Sequence, residues 1–421
     1  MDRSGRLFSF DEGSSDISLQ VTANSAPSAE RVQPTSNLTS DEVSLKLQDA
    51  ASADPDFVDV VLAAALYGIP SKSINTIGFQ QPGSDDLRQV YTVGSGLTSE
   101  VVQHTVLTTK QRSESERPQS TTIALKIFQS TRLAHPNKAK AARQKVYNSI
   151  LNEMKAFSHP LLSNHPNILK LLFIGWNLDQ PYPFLGTELG DYGSLDYVIR
   201  TWGASLTVRQ KRNITIDIAL GLQVIHHAGM THGDLKPDNI IIFSHEDPTR
   251  QVVAKLMDFG GSDEIQGNIF GKPTHFTPFW CAPEVMGKHE DIPWDRADLY
   301  SYGLVVASLW AGIHDEGETH YNNDKPQGAS VLSGSVPLAS NEDNERLIYL
   351  KGLPENHPDS VMSVLKKRLT RKTLPAGIDP PELFAILTPT LKTDWWQRPD
   401  RKSFMEIISD FAHTIGRAIE T

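Results

Sequence analysis

The chain has 421 residues, 39% of them hydrophobic, and a formal net charge of -10. This size excludes a miniature scaffold and leaves room for a catalytic unit plus an extra arm, since single cores rarely grow past about 250 to 300 residues. The acidic balance argues against nucleic acid or anionic membrane as a general partner. The single cysteine, Cys281, rules out an intrachain disulfide and a thiolate zinc cage. No apolar run approaches the roughly 20 residues of a membrane helix, so the expectation is an intracellular protein, cytoplasmic or nuclear, with no membrane span; oligomeric state stays open.

Residues 1–53 are rich in Ser, Thr, Asp, Glu and Gln without a sustained period, and read as a disordered arm. Asp56 to Tyr67 reads as a short apolar helix stopped by Gly68 and Pro70, and residues 54–83 as that helix plus a linker. From Val90 to Val102 a β-rich run encloses Gly94 and Gly96. The polar stretch between His104 and Thr121 reads as a lengthened hairpin loop, followed by an apolar strand, Thr122 to Phe128, that carries Lys126. A basic helical stretch, Lys138 to Met154, includes Glu153, and another apolar run reaches Thr187, Glu188 and Leu189. Ile214, Ile218, Leu222 and Ile225 recur at helical spacing and predict a buried helix over residues 207–228.

That helix leads into Thr231-His232-Gly233-Asp234-Leu235-Lys236-Pro237-Asp238-Asn239, and Asp258-Phe259-Gly260 follows. Acids, a lysine and an amide at these positions suit phosphoryl transfer. Asp234 can accept a hydroxyl proton, Lys236 can offset charge on the moving group, and Asn239 with Asp258 can hold magnesium. Ala282-Pro283-Glu284 comes next, then a polar stretch over about 314–381 that reads as an expanded insertion, then an amphipathic helix from Arg401 to Ile419.

The segments His232 to Asn239, Asp258 to Gly260 and Ala282 to Glu284 stand in an order and spacing that closely resembles the eukaryotic protein kinase family, serine/threonine type. The resemblance implies an α+β, two-lobed fold. Its β-rich small lobe would cover residues 84–189, with the extended hairpin loop at 104–121, and its mainly helical large lobe residues 190–421. It implies ATP and Mg2+ as cofactors and a Ser/Thr protein substrate. By the same resemblance Gly94, Ser95 and Gly96 cover the phosphates, Val102 sits over the adenine, and Lys126 contacts the α and β phosphates in partnership with Glu153. Glu188 and Leu189 offer backbone groups to the adenine, with Thr187 as gatekeeper. Asp234 and Lys236 carry catalysis, and Asn239 and Asp258 bind the metal.

Phe157, Phe259 and His232 match the family's regulatory column, Asp298 the brace of the catalytic loop, and Glu284 with Arg398 its buried ion pair. Thr277-Pro278-Phe279-Trp280 resembles the substrate-docking loop, with Thr277 contacting Asp234 and Lys236. Two departures stand out. Ser99 replaces the third glycine of the phosphate loop, and Gly233 replaces the arginine that normally receives an activation-segment phosphate, in a segment that includes Ser262 and Thr274. His232-Gly233-Asp234 also resembles the loop of aminoglycoside and choline phosphotransferases, which usually lack matches to Lys236 and to the Ala-Pro-Glu segment. A nucleotide-binding scaffold without turnover is the third reading.

Overall fold

The computed structural model describes residues 55–73, 92–95, 99–108, 119–128, 136–176, 181–203, 205–261, 265–266, 269–270, 276–286, 292–312, 349–371 and 380–420. The expected N-terminal arm lies outside the described residues, as do Gly96, Ser262 and Thr274.

The first helix, α1 (Phe57–Leu66), starts where Asp56 and Asp59 cap each other's backbone amides, a reciprocal capping box. A three-residue strand, β1 (Ser71–Ser73), follows it. Then come β2 (Thr92–Ser95), β3 (Ser99–Thr108), β4 (Gln119–Phe128), the long helix α2 (Pro136–Ser158), β5 (Leu171–Trp176) and β6 (Phe184–Glu188). The strands form one six-stranded sheet in the order β1-β5-β6-β4-β3-β2, antiparallel except for β1 beside β5. The stretch 54–83, expected to hold only a helix and a linker, therefore also supplies an edge strand.

The β3–β4 hairpin is paired without interruption from Ser99↔Phe128 to Thr108↔Gln119, so residues 104–108 and 119–121 of the expected 104–121 loop are strand, and 109–118 lie outside the described residues. The polar residues Gln103, His104 and Thr105 obscured the strand, because a backbone ladder runs through positions that carry no apolar pattern. One face of the sheet packs against α2, with Phe128, Ile174 and Leu185 meeting Val146, Ile150 and Met154. Val60, Ala63 and Ala64 of α1 complete that same cluster.

The mainly helical lobe begins with β7 (Gly193–Ser194), α3 (Leu195–Trp202) and α4 (Val208–His227), and β7 pairs with β8 (Ile240–Ser244), which pairs with β9 (Val252–Leu256). Ile214, Ile218, Leu222 and Ile225 of α4 are all fully buried, as their spacing predicts. After the short α5 (Pro283–Met286), α6 (Trp294–Ala311) is buried on every side, so it forms the axis of this lobe. Around it stand α7 (Val361–Arg371), α8 (Pro380–Thr390) and α9 (Arg401–Glu420). The latter part of the expected insertion is core: Leu353, Val361, Met362, Leu365 and Leu369 are buried.

Arg398 ties α5 to the start of α9. Its guanidinium, fully buried, forks onto Glu284 at 2.5 and 2.9 Å and also donates to the carbonyls of Lys392 and Thr393. Glu284→Ala would strand this cation, and we expect the unfolding free energy measured in urea to fall by about 3 to 5 kcal/mol. A loss below about 1 kcal/mol, the range of exposed pairs, would show the pair to be dispensable.

Candidate active site

The loop from Thr231 to Asn239 hangs from one carboxylate on α6. Asp298, buried, accepts the His232 amide at 2.9 Å, the Gly233 amide at 3.0 Å and lies 2.8 Å from His226 Nε2. Gly233 has φ +79°, a left-handed conformation that glycine adopts without strain. Burial lowers the His232 pKa against the pull of the nearby acids. The ring acts as a neutral bridge: Nε2–H donates to the Met257 carbonyl at 3.1 Å while Nδ1 accepts the Asp234 amide at 3.4 Å.

Asp234 is thereby pointed at residue 277. Its Oδ1 accepts both the Thr277 amide, at 2.8 Å, and the Thr277 hydroxyl, at 2.7 Å. Lys236 Nζ stands 3.1 Å from Oδ2 and donates to Thr277 Oγ1 at 2.8 Å. Burial acts to lower the Lys236 pKa, but the carboxylates of Asp234, Asp238 and Asp258 together outweigh it and hold the amine above its ordinary value. Asn239 Nδ2 donates to the Asp234 carbonyl at 2.9 Å, which leaves its amide oxygen as the atom it can offer a cation.

Across the cleft, Lys126 on β4 reaches Glu153 of α2 at 2.6 Å and Asp258 at 2.8 Å. The partners pull in different senses. Burial opposes a charged Lys126, but Asp258 and Glu153 together overturn it and keep the amine protonated beyond its usual range. Burial pushes the Glu153 carboxyl up to about 7, with Lys126 opposing and Asp258 adding to the rise. A 2.6 Å contact is charge-assisted, so Lys126 stays cationic and Glu153 is the half that gives way as pH falls.

Asp258 itself has φ +66°, an uncommon conformation for a non-glycine residue. It precedes Phe259, fully buried between Phe157 and His232 with ring centroids 5.1 and 5.6 Å away. Gly260 lets α2 come close, because a Cβ there would stand 2.2 Å from Ser149 Oγ.

Not every expected residue falls at the cleft. Val102 is the cross-strand partner of Leu125 and is buried with Ile123, Phe173 and Phe184, on the sheet face opposite Lys126. Strand residues alternate faces, so the valine on the Lys126 face is Val101, paired directly with Lys126, and the assignment of Val102 to the adenine is corrected. The motif spacing G-x-G-x-x-G-x-V, with Ser99 at the third glycine, also counts to Val101, so the sequence alone carried this residue. Gly94 and Ser95 pair with Val101 and Glu100 at the end of β2. Thr187 is opposite Ala124 and buried, and Leu189 is half-buried.

Glu188 directs its side chain elsewhere: its carboxylate receives Lys255 Nζ at 2.7 and 2.9 Å and the Lys170 amide at 2.8 Å. Its own amide donates to the Lys170 carbonyl at 3.2 Å. Lys255 escaped the sequence reading because nothing in a β9 strand marks which lysine pairs with a residue far upstream.

The donor set fits a magnesium-bound nucleotide. One carboxylate, Asp258, and one amide oxygen, Asn239, suit an ion that takes few protein ligands and keeps water and phosphate oxygens for the rest. Among the described residues no cluster of three or more His, Cys, Asp or Glu side chains offers a different, all-protein metal cage.

A model of the protein kinase domain matches residues 88–402. The chain is 32% identical over 199 residues to a probable serine/threonine-protein kinase, gdt4, of Dictyostelium discoideum, covering 46% of this chain and 11% of that protein. It is 33% identical over 174 residues to dual specificity testis-specific protein kinase 2 of Mus musculus, covering 39% and 28%. A probable serine/threonine-protein kinase of Clostridium perfringens, CPE1738, is 27% identical over 217 residues, covering 50% and 27%. The chain thus spans 11% to 28% of the length of these curated relatives.

The state of Glu153 gives this site a pH dependence. A carboxyl whose folded pKa is raised binds a proton more readily in the native state, so its stabilising contribution is complete below the usual 4.5 and is lost as pH rises through about 7. The pairing with Lys126 needs the ionised form and runs the other way. We expect apparent affinity for ATP to weaken as pH falls through about 7, with Glu153→Gln removing that limb. In urea titrations between pH 4.5 and 7 the wild type should lose stability relative to the Gln variant as pH rises.

Proposed function

We propose that this chain, which belongs to the protein kinase family, transfers the γ-phosphate of ATP to Ser and Thr hydroxyls of protein substrates. The observation that carries the proposal is Lys126 Nζ bound to both Glu153 and Asp258, at 2.6 and 2.8 Å, which fixes a cation and a metal ligand at one spot across from Asp234. Lys126 would hold the α and β phosphate oxygens. Asn239 and Asp258 would hold Mg2+, which when bound neutralises phosphate charge. Asp234 would orient the acceptor hydroxyl and take its proton, and Lys236 would balance charge on the transferring group. Such chemistry is almost entirely positioning and electrostatics, and these residues supply both.

Lys236 held between Asp234 and Thr277 supports Ser/Thr acceptors. The name of one relative, a dual specificity kinase, is reason to include tyrosine acceptors in the assay. The Glu284–Arg398 pair and the segment it anchors weigh against a small-molecule phosphotransferase.

The test is transfer of labelled phosphate from Mg-ATP to a Ser/Thr peptide library, a Tyr library and a generic basic protein, beside Asp234→Asn. Transfer to Ser or Thr that falls at least about 10³-fold in the variant is expected, since the base and its orientation are both lost. Intact ATP binding with no transfer by the wild type would leave the scaffold reading standing.

Gly233 adds a regulatory expectation. Where the family usually has an arginine to receive an activation-segment phosphate, this position has no side chain, so phosphate has no cation at Gly233 to order the segment. Phosphatase-treated protein should keep its kcat within about twofold. Loss of activity on that treatment, together with the same loss in Thr274→Ala, would contradict it.

A further inference from the structure

Lys351 is buried, and its side chain runs back under the loop that follows Thr277. Its ammonium donates to three backbone carbonyls of four successive residues: Pro278 at 2.8 Å, Phe279 at 2.9 Å and Cys281 at 2.5 Å. An ammonium has three donors and no acceptor, so it is matched to a nest of carbonyls as no neutral side chain is. Phe279, Trp280 and Cys281 are buried as well, and these carbonyls have little water to turn to.

Thr277 is bonded to Asp234 at one end of this loop, and Glu284 is bonded to Arg398 at the other. Between these anchors the backbone is gathered by Lys351. The same Tyr300 ring on α6 lies 5.8 Å from Lys351 Nζ and 4.9 Å from the Arg398 guanidinium, so both cations bear on one aromatic side chain.

We propose that Lys351 is a positioning residue for the acceptor peptide: its ammonium fixes the backbone of residues 278–281, and with it the wall that holds a substrate hydroxyl against Asp234. This rests on the phosphoryl-transfer reading above, and extends it to a residue outside every motif that marks that chemistry. Lys351 touches neither the Lys126 cluster nor Asp234 in the bonds it makes to the loop, so its influence should fall on the peptide and not on the nucleotide.

Cys281, the one cysteine of the chain, provides a readout independent of activity. Burial pushes its thiol up to about 11, and Lys351 partly opposes that rise. Removing the ammonium with the loop held in place would make the thiol still less acidic and slower to react. Releasing the loop would expose it and make it faster.

The experiment compares the full-length wild type with Lys351→Met, which keeps side-chain bulk and removes the donors. The expected result is a rise in peptide KM of at least about tenfold, with ATP KM within about twofold. Labelling of Cys281 by a disulfide reagent in the native protein should accelerate by at least about tenfold. An active wild type with unchanged peptide KM in the variant, or with Cys281 labelling unchanged or slower, overturns the role of Lys351. A wild type that transfers no phosphate sinks the kinase reading and the acceptor role with it. Should Lys351→Met fail to fold, Thr393→Val takes its place. It removes the hydroxyl that lies 3.5 Å from the Lys351 carbonyl and 3.2 Å from that of Leu353, leaves the ammonium present, and should move both readouts in the same direction by about threefold. No movement in either overturns the proposal.

Discussion

The geometry of the catalytic loop depends on one buried carboxylate. Asp298 projects from a helix that is covered on all sides, and it holds two successive loop amides and a histidine from a second helix. A charge in such a place is tolerated only when its lone pairs are occupied, so the loop and the acid need one another. The loop is therefore as rigid as the lobe's axis, and Asp234 inherits that rigidity through the His232 ring and the Asn239 amide.

The opposite wall of the cleft is assembled differently. Lys126, Glu153 and Asp258 come from a strand, a helix and a loop, and each is held mainly by the other two. Phe259 and Gly260 add packing between helix α2 and the loop: the aromatic ring lies against Phe157, and the missing side chain admits Ser149. One wall is fixed by a buried brace. The other is a meeting of three separate elements, a strand, a helix and a loop, and a proton on Glu153 weakens the pairing that joins them.

Much of the site was legible because short motifs carry their own chemistry. Asp234, Lys236, Asn239 and Asp258 lie where fixed spacings put them, and Thr277 meets Asp234 and Lys236 as the resemblance implied. What was not legible depends on register and on distant pairing. Val102 was placed one residue beyond the position that the glycine-loop spacing gives, Val101, and the hairpin ladder that pairs Val101 with Lys126 exposes the slip. Lys255 and Lys351 find partners 67 and about 70 residues away, and a lone lysine in a strand or at the end of a helical stretch announces nothing. The strand β1 is three residues long, Ser-Lys-Ser, with no apolar pattern; its place is decided by the sheet edge it meets.

That short strand and the helix before it bear on what counts as the unit that folds. The stretch that matches the protein kinase domain begins at residue 88, yet the helix carrying Glu153 is covered by Val60, Ala63 and Ala64, and the sheet's last edge is closed by Ser71 to Ser73. The matched domain and the packed unit have different borders. Evolution can keep a catalytic core recognisable while handing part of its hydrophobic cover to a neighbouring segment that carries no motif. In this protein the cover falls on the helix whose placement decides whether the lysine is paired, so a stretch without chemistry of its own becomes part of the site's architecture.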